Sequence, residues 1–66
     1  MKVKYPDVTV TLSGEDGNAM AIIGRVRRAI RRAHGEEAAA EYAAEARQSL
    51  SYDALIQHAM STVNVE

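Results

Sequence analysis

From Asn18 to Gly35 the chain reads as one amphipathic helix with a marked beginning and a marked end. Projected at about 100° per residue, Ala19, Ile22, Ile23, Val26, Ile30 and Ala33 fall in one sector, about as wide as the apolar stripe of an ordinary surface helix. Opposite that stripe, Arg25, Arg28 and Arg32 line up at i, i+3 and i+7, and Arg27 and Arg31 form an i, i+4 pair beside them. Five arginines therefore share the solvent side. Asn18 is the candidate N-cap, with Asp16 the alternative for an earlier start, because a short side-chain oxygen can accept from an early backbone N–H. Gly35 supplies the left-handed residue that commonly closes a helix. Glu15 and Asp16 lie near the positive end of the helix dipole, and Arg31, Arg32 and His34 near its negative end, so much of this charge serves helix stability.

The rest of the chain is read outward from this helix. Asp7–Leu12 has a strict period of two, with Val8, Val10 and Leu12 on one face and Thr9 and Thr11 on the other, which predicts a strand with one face buried. Before it, Pro6 interrupts a continuous ladder, leaving Met1–Tyr5 as an edge-like lead-in. Gly24, inside the helix, costs about 1 kcal/mol relative to alanine, which suggests close approach of another backbone there. A second helix is predicted over Glu36–Arg47, its apolar stripe formed by Ala39, Tyr42, Ala43 and Ala46 and continued by Leu50. Glu37, Glu41 and Glu45 repel one another along its edge at i, i+4 spacing, and the arginine face of the first helix is the expected counterweight. Ser49 or Ser51 caps a third helix on which Tyr52, Leu55, Ile56, Ala59, Met60 and Val63 share a face, ending near Ser61 or Thr62. Val63 and Val65 alternate in a short final strand.

These elements predict one small α+β domain over residues 1–66, in the order strand–helix–helix–helix–strand, with the helices on one face of a two-stranded ribbon. Parallel and antiparallel pairing of the terminal strands both remain open. A two-stranded sheet is marginal alone and leaves open edges, so edge pairing between subunits is an expected remedy. Size points the same way. A chain of 66 residues buries only about 60% of its unfolded surface, and with twelve alanines, no Phe, no Trp and no Cys, oligomerisation is the usual support left. The absence of cysteine fits a reducing compartment. No apolar run approaches the roughly 18 residues of a membrane span and no signal segment is evident, so the expectation is a cytoplasmic protein without membrane association.

Charge divides the chain. Residues 1–34 carry seven Lys/Arg against three acids, and residues 35–66 carry one Arg against six, for a net charge of −1. So nearly neutral a total favours charge pairing, within or between molecules, over a strongly basic nucleic-acid footprint.

At Leu12-Ser13-Gly14-Glu15-Asp16-Gly17-Asn18-Ala19-Met20-Ala21-Ile22-Ile23-Gly24-Arg25-Val26, at Ser51-Tyr52-Asp53-Ala54-Leu55-Ile56 and at Val63-Asn64-Val65-Glu66, the chain resembles a family of very short, functionally uncharacterised proteins of bacteria, phages and mobile elements. Their shared pattern is L-x-G-x-D-G-N-A-x-A-I-x-G-x-V, a Y-D-x-L-[LI] helix and a V-x-V-E tail. The resemblance covers most of the chain apart from its alanine-rich middle. It implies a phage or mobile-element setting and brings no catalytic residues.

Candidate sites follow from these patterns. The turn at Gly14, Gly17 and Asn18 could present backbone N–H groups to a nucleotide or other anion, although Glu15 and Asp16 oppose that and no G-x-G-x-x-G or Walker lysine is present. The same turn has too few oxygen ligands for calcium. His34 and His58 lack partners at zinc-ligand spacing; His34 is expected as a helix-end cation and His58 as a solvated position. Asp53 and His58, at i, i+5, do not converge as catalytic partners, and a chain this small has little room for a pocket. No enzyme activity, metal or cofactor is therefore expected. The arginines Arg25, Arg27, Arg28, Arg31 and Arg32 could follow nucleic-acid phosphates, but no Asn or Gln is placed nearby for base readout and no helix-turn-helix spacing is evident. The expectation is a non-enzymatic binding protein of a phage or mobile element, a homo-oligomer that modulates or inhibits a host or defence protein through its charged surface. The alternatives are an oligomer that sequesters a nucleotide or anion, and an arginine-helix nucleic-acid binder.

Overall fold

A computed structural model describes residues 3–12 and 17–66. The element order is β1 (Tyr5–Val10), α1 (Ala19–His34), α2 (Glu36–Ala46), α3 (Tyr52–Thr62) and β2 (Val63–Val65), the α+β order that the periodicities predict. The two strands form one sheet and run parallel, so the three helices together make the crossover that a parallel pair requires.

β1 begins and ends two residues earlier than the alternation suggests, and Pro6 lies inside it. The ladder accommodates this proline with a shift of register between Tyr5 and Thr9, the usual place for a residue that has no N–H to give. The Pro6 carbonyl is satisfied from the side, by Asn64 Nδ2 at 2.7 Å. Past β1 the pairing still continues, because Glu66 N–H donates to the Val10 carbonyl and Leu12 N–H to the Glu66 carbonyl, both at 2.9 Å.

The caps explain the helix boundaries. Asn18 Oδ1 accepts from Met20 N–H at 2.8 Å and starts α1, whereas the alternative cap Asp16 lies outside the described residues. Ser51 Oγ accepts from Ala54 N–H at 3.1 Å and starts α3. Gly35 alone separates α1 from α2. Its N–H donates to the Arg31 carbonyl at 2.9 Å, and its own carbonyl accepts from Ala39 N–H at 3.2 Å. The predicted positive φ is present, at 99°, but ψ is 171°. The residue is therefore extended, in a region that only glycine occupies freely, instead of in the left-handed helical well. That geometry lets one helix stop and the next begin without a loop.

The core gathers Val8, Val10, Ile22, Ile23, Val26, Ile30, Ala39, Tyr42, Ala43, Ala46, Leu55, Ala59 and Val63. Val26, Ile30 and Val63 are its largest fully buried side chains, so its centre draws on the middle of α1 and the start of β2. Of the stripe predicted for α1, Ala33 is exposed, since it lies in the last turn before the chain departs at Gly35. Leu50 is 99% exposed: α2 ends at Ala46, and the turn formed by Gln48 N–H to the Glu45 carbonyl and Ser49 N–H to the Ala46 carbonyl carries Leu50 off the stripe. Tyr52 and Met60 are about half exposed, so α3 buries a narrower face, on Leu55, Ala59 and Thr62. The close backbone approach expected at Gly24 is absent among the described residues, since a Cβ there would meet nothing within 4 Å. Among the described residues, no helix is long and apolar enough to cross a membrane.

Two substitutions test this packing. Gly24→Ala should stabilise the protein by about 1 kcal/mol, the propensity difference with nothing to clash against. Ile30→Ala should cost roughly 2–5 kcal/mol, a large share of what so small a domain has. Thermal and urea unfolding of both variants measure these changes.

Candidate binding surface

With Ile22, Ile23, Val26 and Ile30 turned inward, the arginines of α1 are left outside, but not on one continuous face. They separate into two sets with different neighbours. Arg27 and Arg31 lie on the α2 side, where Arg27 Nη2 donates to Glu36 Oε1 at 2.7 Å and Arg31 Nη1 stands 3.8 Å from Glu36 Oε2. Glu36 opens α2, next to the end of α1, so the pair pins the corner made by Gly35. Arg25, Arg28 and Arg32 lie on the opposite side, toward β1, and with Thr9, Val10, Thr11 and Ala29 they line a groove of about 300 Å³. No residue of β2 lines it, so it runs along the edge of β1 that β2 does not cover. A second depression of about 300 Å³ lies over Gly24 between Arg27, Arg28 and Arg31, where the missing side chain leaves space.

The expected pairing of the arginine face with the glutamate row is corrected by these contacts. Arg27 and Arg31 pair with Glu36, which is not part of the row. Glu41 instead pairs with Lys4 Nζ at 2.7 Å, and that hydrogen bond raises the lysine pKa and lowers that of the glutamate. Glu45 pairs with His58. Two members of the row are thus engaged by Lys4 of the N-terminal segment and by the His58 ring of α3. Arg28 and Arg32 have no ion-pair partner among the described residues.

Both histidines have structural partners. His34 Nε2 is 3.0 Å from Asp7 Oδ1, and its ring lies 4.5 Å from that of Tyr5, so the end of α1 is fastened to the start of β1. The same hydrogen bond holds the Asp7 carboxyl below its ordinary pKa. His58, expected in solvent, is half-buried: its ring stacks on Tyr42 at 5.2 Å and 3°, and Nε2 is 3.2 Å from Glu45 Oε1. Among the described residues, the buried Tyr42 hydroxyl and His58 Nδ1 have no hydrogen-bond partner. Burial pushes the Tyr42 pKa up to about 12. Stacked face to face, the two rings do not direct a base at a nucleophile, which is the geometry that acid–base chemistry needs.

Of the turn considered for anion binding, Gly14 lies outside the described residues, and Gly17 and Asn18 are exposed. Asn18 is engaged as the cap of α1. A Cβ on Gly17 would stand 3.4 Å from the Tyr52 hydroxyl, so this glycine gives room to the start of α3. Among the described residues, no group of three His, Asp or Glu could hold a metal ion. Thr9 and Thr11 are the site residues that sequence reading missed. They show in the alternation of β1 only as an outward face, and nothing in the sequence says which side of α1 lies beside them. No family model, curated protein or solved structure matches this chain.

The buried tyrosine gives a pH signature. Its raised pKa means that the stability it contributes is fully present below the unfolded value of 10.0 and is lost as pH rises through about 12. Tyr42→Phe should remove that alkaline loss, and at neutral pH it should be neutral or stabilising, because the orphaned hydroxyl goes with it. Urea unfolding between neutral and alkaline pH, with tyrosinate absorbance followed in parallel, measures both effects.

Proposed function

We propose that this chain is a non-enzymatic binding protein that docks an acidic surface of another protein along Arg25, Arg28 and Arg32. The observation that carries this reading is the groove beside β1, in which Arg28 and Arg32 stand without an ion-pair partner among the described residues while Arg27 and Arg31 are engaged by Glu36. Charges left unpaired beside one another repel, and a partner that supplies carboxylates relieves that repulsion. The near-neutral total charge fits a local acidic contact better than the extended basic field that nucleic acid attracts. The phage or mobile-element setting implied by the sequence pattern makes a host or defence protein the natural partner, modulated or inhibited by occupation of its acidic surface. The self-association expected of so small a core would draw on the exposed Leu50, Tyr52 and Met60, leaving the arginine groove clear. A free nucleotide or other anion is the second reading, favoured by three arginines around one groove of about 300 Å³.

The double variant R28E/R32E tests the proposal. Both side chains are exposed, so the melting temperature should stay within a few degrees of the wild type. Affinity purification from host cells at low and high salt should recover a discrete protein with the wild type, less of it as salt screens the contact, and none with the variant. Equal recovery by both would overturn the proposal. A nucleotide-dependent rise in melting temperature, lost in the same variant, would favour the second reading.

A further inference from the structure

The groove holds a second feature besides its charge. Val10 and Leu12 direct their peptide groups to Glu66. Because peptide groups alternate between the two edges of a strand, those of Thr9 and Thr11 face the other way, into the side lined by the arginines. The edge of β1 is thus a row of backbone donors and acceptors bordered by cations. Resting on the reading above, we infer that the partner engages this edge as an added β-strand: an extended segment of another protein that carries acidic side chains at alternate positions.

The spacing suits such a strand. His34, at the end of α1, contacts Tyr5 and Asp7 at the start of β1, so α1 runs back along β1 and its arginine row follows the strand edge. Arg28 and Arg32 are separated by one helical turn, a rise of about 6 Å. Side chains on one face of a strand repeat every 6.4–6.8 Å or roughly so. Two carboxylates at positions i and i+2 of an added strand therefore meet both guanidiniums while its backbone completes the ladder, the mode of recognition in which main-chain bonds give affinity and alternate side chains give specificity.

A second copy of the chain is disfavoured as the occupant. Symmetric pairing of two β1 edges places the same patch of each molecule at the junction, bringing both sets of Arg25, Arg28 and Arg32 together. Charges at an open edge are a known guard against such self-pairing. The same arginines admit an acidic strand, so the edge is closed to its own kind and open to a complementary one.

The test uses the full chain and a fluorescently labelled peptide of alternating glutamate and valine, followed by anisotropy at low salt. Two further peptides carry N-methyl groups on one or the other alternate set of amides, and a single-stranded oligonucleotide of equal charge serves as competitor. The wild type should bind the parent peptide, R28E/R32E should not, and one of the methylated forms should bind about tenfold more weakly, the worth of one to two hydrogen bonds. Amide hydrogen exchange at Thr9 and Thr11 should slow on binding. If both methylated peptides bind as well as the parent and R28E/R32E still fails, the added strand is overturned while acidic docking stands. If R28E/R32E binds like the wild type, or no peptide binds, both are overturned. Tighter binding of the oligonucleotide at equal charge would assign the groove to nucleic acid and overturn the inference.

Discussion

The parallel pairing of the chain's two ends is the constraint on which the rest depends. β1 lies near one end and β2 at the other, so their ladder forms only after every intervening element has been placed. Val63 shows how tightly the two are linked. It caps α3, begins β2, pairs with Tyr5 and is fully buried with Val26 and Ile30. A parallel pair has no tight-turn solution, and three short helices joined by one glycine and one five-residue turn provide the return. Long-range closure of this kind raises the entropic cost of folding. Burial of the α1 stripe offsets it.

Alanine in α2 gives that burial its shape. Ala39, Ala43 and Ala46 contribute little apolar area themselves, but their small side chains let α2 lie close against its neighbours, where the larger Ile30, Val26 and Tyr42 supply the buried bulk. The cost appears in the polar atoms. Tyr42 is the one bulky side chain on the buried face of α2, and its hydroxyl is carried inside with no partner among the described residues. Stacking on His58, itself held by Glu45, protects the ring. This arrangement of aromatic, imidazole and carboxylate ties α2 to α3.

Charge is arranged by the same packing. Fastening α1 to α2 through Glu36, to β1 through Asp7 and α2 to the N-terminal segment through Lys4 uses the ionic groups that fall near element junctions. Exposed pairs of this kind contribute little stability singly, so their effect is mainly to fix orientation. Arg28 and Arg32, on the β1 side of α1, have no such ion pair among the described residues. A strand edge lies there instead, and the proposed docking rests on this coincidence of Arg28 and Arg32 with an open edge.

Much of this was determined by the sequence alone. The stripe Ile22, Ile23, Val26 and Ile30, the cap at Asn18, the stop at Gly35 and the alternation of Val8 and Val10 are local, repeating at the periods of helix and strand, and the element order follows from them. Projection reached further than packing: Ala33 keeps the helical spacing but lies in the exposed last turn of α1, Leu50 lies beyond the end of α2, and Gly24 implied a neighbour that is absent among the described residues. Strand direction, the division of five arginines into two sets, the burial of His58 against Tyr42 and the meeting of Thr9 and Thr11 with Arg25, Arg28 and Arg32 were decided only by the tertiary structure. Each depends on how helices rotate and dock against elements distant in sequence. A helical projection fixes the angles between side chains around one axis, but not which neighbour each angle faces.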